Sequence, residues 1–367
     1  MQKRPVEWQG TTVQAAVPMR LAEWEPDLSV RTVRETERAA AALTRFNDRA
    51  AGAAEVSARL LLRAEGVASS AIEGLRASAA DVALAEAASA DLPPTNVALW
   101  VADNLAVVNE ALSTPAPLSA ETILAWHRRL MRHDNVLDPR HIGAWRDELG
   151  WVGGATPRMA VHIAAPEDDI AELMDDLIVF IARGNVDPIT AAAVAHSQFE
   201  TIHPFADGNG RIGRVIIGWM LRQRLGLTYP PPVSRQMARD VGGYQAGLTL
   251  YRQDQIDAWV SWFATAIQLA ATNSTEELER VAAVQRGWEQ ALTGVRRDAA
   301  ARRLVGELSA HPVVSALTAA SILGVSRPAA HNAIVALEQR GILTALATPA
   351  AGRNPRERWW AALAMLS

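Results

Sequence analysis

Along most of the chain, apolar residues recur at steps of three and four, the spacing of one face of an α-helix. From Val30 to about Ala64 the pattern is helical: Ala41, Leu43 and Phe46 alternate with charges, and Val56, Leu60 and Leu61 follow. Helical signals resume at Asp81, stop at Leu92-Pro93-Pro94 and resume from Leu99 to Leu112. Thr114-Pro-Ala-Pro117 reads as a linker and a domain boundary. Ser119 to Arg132 opens on a capping residue, Ser119, and carries Ile123, Leu124, Trp126, His127 and Leu130 at helical spacing. One region breaks the rule: Gly143 to Pro166 is rich in Gly and Pro, with short alternating runs that predict a hairpin or flap. Residues 1–30 show no clear period and are expected to lie as an arm on the body.

The most apolar helices are predicted in the middle of the chain. Asp187-Pro188 is a helix start with proline in the first turn, and Ile189, Ala192, His196, Phe199 and Ile202 line one face behind it. A second helix from Arg211 to Leu225 carries Ile212, Val215, Ile216, Trp219 and Met220 and closes at Gly226. This pair is the expected centre of the core. Tyr244–Tyr251 and Ile256–Ala271 read as two further helices, and Thr275 to about Gly294 as a polar one.

Composition narrows the function by what is missing. The chain has 367 residues, 49% hydrophobic and 21% charged, with a formal net charge of −4, ordinary values for a soluble, multidomain globular protein. No apolar run approaches the roughly 18–20 residues of a membrane span, and the first ten residues lack a signal-peptide core, so a cytoplasmic location is expected. There is no cysteine, which removes thiol nucleophiles and Cys-type metal sites. Lys3 is the only lysine, so neither a Walker A loop nor a kinase-type site can be built. The eight histidines show no HExxH spacing. A bound nucleotide must then be held by arginine, metal and backbone amides.

Residues 203–214, HPFADGNGRIGR, carry the groups for that task between the two central helices. Gly208-Asn209-Gly210 can aim successive N–H groups at one oxyanion, at the positive end of the helix that follows. Arg211 and Arg214, three apart, share its first turn and can clamp adjacent phosphates. Asp207 is a hard oxygen ligand beside those phosphates, as a shared Mg²⁺ requires. His203 has a ring suited to accepting a hydroxyl proton near neutrality, and Phe205 reads as a core anchor. A plain interhelical turn would need the Asp-Gly-Asn-Gly run but not His203 and both arginines.

The stretch resembles the Fic signature, HxFx(D/E)GNGRxxR, at every specified position, and about 115–272 is similar to a Fic core. The fold this implies is all-α, with a small β-hairpin flap, an N-terminal helical region (1–114) and a C-terminal part (273–367). The implied activity is transfer of AMP from ATP to a Ser, Thr or Tyr hydroxyl of a protein. His203 would then be the base and Asp207 the Mg²⁺ ligand. Gly208, Asn209 and Gly210 would hold the phosphates, with Arg211 and Arg214 on the outer ones. The flap near Gly153–Pro166 would present the target protein as an added strand. Tyr244 is carried as an adenine-pocket residue, with a core tyrosine as the equal alternative. A phosphotransferase branch has Asn-Ala-Asn-Lys where this chain has Asp207-Gly-Asn-Gly; the departure favours nucleotidyl transfer and leaves other diphosphate donors open.

Upstream, Ser69-Ser-Ala-Ile-Glu73-Gly74 is similar to the family's (S/T)xxxE(G/N) inhibitory helix, and a capping box from Ser70 to Glu73 is the plainer reading. The resemblance implies that Glu73 pairs with Arg214 and fills the outer-phosphate position, and it leaves removal of AMP open. From Arg296 onward nine arginines face four acidic residues. Thr318–Leu323, Gly324-Val325 and Ser326–Gln339 resemble a helix-turn-helix, with Leu343–Trp360 as its wing. Arg327, His331 and Asn332 are expected to face outward, with Arg353, Arg356 and Arg358 on the wing. The alternative function is therefore a DNA-binding regulator with a nucleotide-sensing core; protein docking or a homodimer through the same module stays open.

Overall fold

The computed structural model describes residues 1–52, 55–88, 96–346 and 357–366. The Leu92-Pro93-Pro94 break, the Pro349–Pro355 turn, Arg353 and Arg356 lie outside the described residues. The chain is all-α with small antiparallel sheets. Among the described residues, no helix is long and apolar enough to cross a membrane.

The first thirty residues lie on the body as expected, but they include a β-hairpin that was not. Strands β1 (Gln2–Trp8) and β2 (Thr11–Val17) pair antiparallel over seven residues through a turn at Gln9-Gly10. The turn residues have φ of 48° and 73°, as tight hairpins of right-handed twist require. The period was hidden because β1 is largely exposed, so it shows no apolar alternation.

Helices α1 (Val30–Gly52), α2 (Glu55–Ile72), α3 (Ala79–Ala88), α4 (Val97–Ser113) and α5 (Ala120–Leu130) follow. Next comes the flap, whose strands β3 (Trp151–Val152) and β4 (His162–Ile163) pair antiparallel around a 3-10 turn at Pro157–Met159. Trp8 meets Trp151 edge to face with ring centroids 6.0 Å apart, which seats the N-terminal hairpin beside the flap.

Helix α6 (Ile170–Ala182) leads to the central pair, α7 (Pro188–Ile202) and α8 (Asn209–Leu225). The start of α7 follows from its sequence: the Asp187 carboxylate accepts the Thr190 N–H at 2.8 Å, and Pro188 occupies the first turn. From Ile189 onward every residue of α7 is buried. Each fully buried Ile or Phe there contributes ~1.5–3 kcal/mol relative to exposure. One apolar cluster runs from Leu21 to Leu278, across the expected boundary at 114/115. Trp219 Nε1 and Gln223 Nε2 both donate to the Thr114 carbonyl, tying the presumed linker to α8.

Short α9 (Val233–Arg239) and α10 (Val241–Arg252) precede α11 (Ile256–Ala291), a single 36-residue helix where two were expected. The polar Ala270-Ala-Thr-Asn-Ser-Thr run stays helical, and its hydroxyls are satisfied by carbonyls four residues earlier. Thr272 donates to Gln268, Ser274 to Ala270 and Thr275 to Ala271. The expected boundary at 272/273 thus falls inside a helix.

The C-terminal body holds α12 (Ala300–Glu307), α13 (Ala316–Leu323) and α14 (Arg327–Glu338). They pack on a sheet of order β5 (Val313–Ser315), β7 (Trp359–Ala361), β6 (Thr344–Ala345). Its apolar core includes Leu60 of α2, and the sheet residues Val313, Trp359 and Ala361 pack with Ala83, Leu84 and Ala88 of α3.

Close packing at the α10–α11 crossing gives a stability test. A Cβ at Gly247 would overlap the rigid ring of Trp259, which is fully buried and donates its Nε1–H to Ala193 at 2.9 Å. Gly247→Ala gains ~1 kcal/mol of helix propensity. Overpacking costs about 1–3 kcal/mol. We expect net destabilisation, read as a lower urea midpoint.

Candidate active site

The loop between α7 and α8 is held in a conformation that its sequence specifies at both ends. His203 caps α7 in the left-handed region, at φ 52°, uncommon for a residue with a side chain and held here by its surroundings. Gly208, at φ 83°, begins α8 where a side chain would be strained. Between them Asn209 folds back: its Oδ1 accepts from Phe205 N and its Nδ2 donates to Phe205 O, both at 2.8 Å. Its side chain is therefore the clamp of the loop, and what it offers an anion is its own backbone N–H at the first turn of α8.

His127, Phe205 and Arg146 hold the loop from outside. His127 of α5 stacks on Phe205 with centroids 3.8 Å apart. The Gly143 N–H donates to its Nδ1, so the proton sits on Nε2 and is donated to the Asp207 carbonyl at 3.0 Å. Arg146, nearly fully buried, donates to the carbonyls of His203, Glu148, Ala165 and Ile202, and its own N–H donates to Pro204 O at 2.9 Å. One side chain thus fixes both the strained His203 turn and the base of the flap.

Around this frame the expected residues converge. The His203 imidazole is half-buried, with Nδ1 3.9 Å from Glu200 Oε2. Burial, with the Arg146 and Arg252 guanidiniums nearby, pushes it down to about 3, so the ring is neutral at physiological pH. The Asp207 carboxylate is exposed and lies 3.4 Å from Arg211, whose guanidinium is tucked beneath the loop against Met131. Arg214 is buried, with its side chain 1% exposed, and donates Nε–H to Ser69 Oγ at 2.9 Å and Nη2–H to Ser69 O at 2.8 Å. Nη2 also bonds Glu73 Oε1 at 2.7 Å. The same Glu73 oxygen lies over Gly210 so closely that a Cβ there would overlap it. Burial opposes the charge on Arg214, but Glu73, Tyr244 and Glu200 more than offset it and hold the group charged.

Tyr244 takes the alternative reading of the sequence. Its ring is 3% exposed, packed near Trp259 and Trp262, and its hydroxyl meets His196 Nε2 at 2.8 Å. In this structure it is a core tyrosine, supporting the site from behind.

Three residues escaped the sequence reading: Arg146, His127 and Glu200. Glu200 carried a signal, being the one carboxylate within α7, four residues after His196 and three before His203. Arg146 and His127 act on backbone groups, which leaves no motif.

In the C-terminal body Arg327, His331 and Asn332 are exposed on α14. Arg327 is bonded to Glu357 at 3.0 Å, and the Arg358 guanidinium lies 5.6 Å from the Trp360 ring centroid. Part of the basic excess is thus neutralised within the body.

An all-helical core with a histidine-ended helix, an amide-lined turn and a buried arginine facing it defines an anion-handling centre. Residues 117–221 match the Fic/DOC family model, and the chain carries a Fic/DOC domain. It is similar to protein adenylyltransferase Fic of Drosophila willistoni, 31% identical over 160 residues, 43% of this chain and 29% of that one. The Drosophila melanogaster protein of that name matches equally, at 31% over 160 residues and 30% of its length. The chain therefore matches less than a third of the length of these relatives. A Fic family protein from Desulfovibrio desulfuricans G20 shares the fold over 92% of this chain and 98% of its own, with a TM-score of 0.58 and 24% identity. Fic-1 of C. elegans, residues 134–508, does so over 68% and 73%, with a TM-score of 0.52 and 18% identity.

Burial of histidine around this centre predicts acid sensitivity. Desolvation is the leading cause that lowers His127 to about 4 and His162, His196 and His203 to about 3, against 6.5 when exposed. Below the unfolded value the unfolded chain binds more protons, so stability is full above pH 6.5 and falls as the pH drops towards the folded values. Glu200, raised to about 7 by burial, works the other way, losing stability as the pH rises from 4.5. Each group contributes about 1.4 kcal/mol per pH unit within its window. Four histidines outweigh one glutamate, so urea midpoints should fall between pH 6.5 and 4.5.

Proposed function

We propose that this chain is an autoinhibited protein adenylyltransferase, moving AMP from ATP to a Ser, Thr or Tyr hydroxyl of a target protein. The observation that carries the reading is the Glu73 carboxylate on Arg214 above Gly210, an anion seated where the amides and the arginine would take a phosphate.

In this reading His203 accepts the proton of the acceptor hydroxyl, and the helix N-terminus with the N–H groups of Gly208, Asn209 and Gly210 holds the phosphates. Arg214 meets the outer phosphates once Glu73 withdraws, and Arg211 would join it after turning out from Met131 and Asp207. Asp207 fits a Mg²⁺: its carboxylate is exposed beside the amides, and this ion is commonly held by one or two carboxylates together with substrate phosphates. The ion would neutralise phosphate charge. The flap, with Met159 and Val161 exposed near its tip, is the surface on which a target segment would dock.

The restraint acts by charge. A phosphate oxygen and the Glu73 carboxylate compete for one buried guanidinium, and two anions on one site repel. Glu73→Gly should therefore raise AMP transfer by ~10-fold or more, the scale of one charge-assisted bond lost by the competing group. His203→Ala in that background should abolish it. With ATP labelled at the α- or the γ-phosphate, label on protein from the α position alone supports the reading. Label from the γ position alone means phosphoryl transfer, and no label from either with Glu73→Gly rejects the reading.

A further inference from the structure

Glu200 lies in the same helix as His203, one turn earlier, yet the reaction as described gives it no role. Its carboxylate is 8% exposed and stands 3.9 Å from His203 Nδ1, an ion-pair distance longer than a hydrogen bond. Among the described residues, neither His203 Nδ1 nor Glu200 Oε1 has a hydrogen-bond partner of good geometry, although the Glu200 backbone carbonyl is near enough to favour a charged His203 ring. The unpaired Nδ1 thus lies near one oxygen of the carboxylate, Oε2, while the other, Oε1, is turned towards Gly213 without a partner. Such pairs in resting sites often close only when the substrate is bound.

The space around Glu200 is shaped to keep the carboxylate there. Helix α8 passes so near that a Cβ on Gly213 would lie 2.7 Å from Glu200 Oε1 and 3.0 Å from His196 Nδ1. Behind it, His196 Nε2 meets the Tyr244 hydroxyl at 2.8 Å. Arg252 of α10 donates to the Glu200 carbonyl at 3.2 Å. The charged and titratable groups around the carboxylate are Arg214 of α8, Glu73 beyond α2, Arg252 and Tyr244 of α10, and His196 and His203 of its own helix.

We propose that Glu200 is the positioning residue for His203, its carboxylate accepting the Nδ1–H so that the Nε2 lone pair faces the acceptor hydroxyl. This inference rests on the adenylyltransferase reading. In the step, the hydroxyl O–H breaks and its proton passes to Nε2. The oxygen bonds the α-phosphorus, and the bond from that phosphorus to the bridging oxygen breaks, so pyrophosphate leaves with the electron pair. The imidazolium then carries its positive charge against Glu200. A buried imidazole between Arg146 and Arg252 has low proton affinity, and a carboxylate at Nδ1 raises it.

Burial raises Glu200 to about 7, with Arg214 and Arg252 opposing and Glu73 adding to the rise. The carboxylate form grows as the pH rises, so turnover should climb through an acid limb at or below about 7 once Glu73 is replaced.

The test uses the full chain. In the Glu73→Gly background, Glu200→Gln should lower turnover by about 10²-fold. It should leave the KM for ATP unchanged and remove the acid limb, and Glu200→Asp should restore part of the rate. Unchanged turnover and limb in Glu200→Gln, or Glu200→Asp no faster than Glu200→Gln, overturns the proposal. NMR of isotope-labelled histidine at about pH 8 reads the same point without activity. The His203 signals should show the Nδ1–H tautomer in the wild type and the Nε2–H tautomer in Glu200→Ala. The same tautomer in both overturns it. Absence of transfer from every variant rejects the adenylyltransferase reading alone, since the tautomer still decides on Glu200.

Discussion

The arrangement turns on one buried charge. The Arg214 side chain is 1% exposed at the start of α8, and a guanidinium in such a place is strongly destabilising unless it is paired and its donors are satisfied. The chain meets that demand with Ser69 and Glu73, which come from another helix altogether. Docking α2 on the core therefore brings both partners of Arg214 to it, Ser69 within the helix and Glu73 just past its end. The demand also defines what can replace Glu73: only an anion leaves Arg214 satisfied.

How far this was legible in the sequence depends on where each signal lives. The helices α7 and α8 and the loop between them could be read because caps, apolar period and turn glycines coincide within forty residues. The pairing of Glu73 with Arg214 was expected from resemblance and is present in the structure. The β1–β2 hairpin was missed because an exposed strand needs no alternation, and the continuity of α11 because hydroxyls bonded to their own helix look like a polar break. Asn209 was expected to face the phosphates and instead clamps Phe205; a one-dimensional motif gives the residue but not the direction of its side chain. Tyr244 went to the core for the same reason. Arg146 bonds five backbone groups drawn from three stretches of chain, and no local pattern records that.

Helix α2 connects this centre to the rest of the molecule. Its Leu60 belongs to the apolar core of the C-terminal body, together with Val281, Trp288 and Leu304. Arg63, 6% exposed at its side chain, bonds Glu86 of α3 at 2.9 Å and the Ala310 carbonyl beyond α12. Glu65 accepts from Ser234 of α9 through both its N–H and its hydroxyl, and Asn104 of α4 donates to Gly66 O and Ser70 Oγ. The helix that satisfies Arg214 is thus fastened to the central helical core on one face and to the C-terminal body on another.

That fastening separates Glu73 from the helix that carries it. Ser69 lies within α2 and is buried, whereas Glu73 lies one residue past its end, with a side chain 38% exposed and Gly74 next to it at φ 81°. Bonds from Glu65, Gly66 and Ser70 keep the body of the helix in place. On the proposed function, the carboxylate would leave Arg214 by rotation of its own side chain, with the two Ser69 bonds retained. On that reading an incoming phosphate would meet an arginine already oriented by Ser69, and the competition would be between two anions for the N–H that Glu73 now holds and not between folded and unfolded forms of α2.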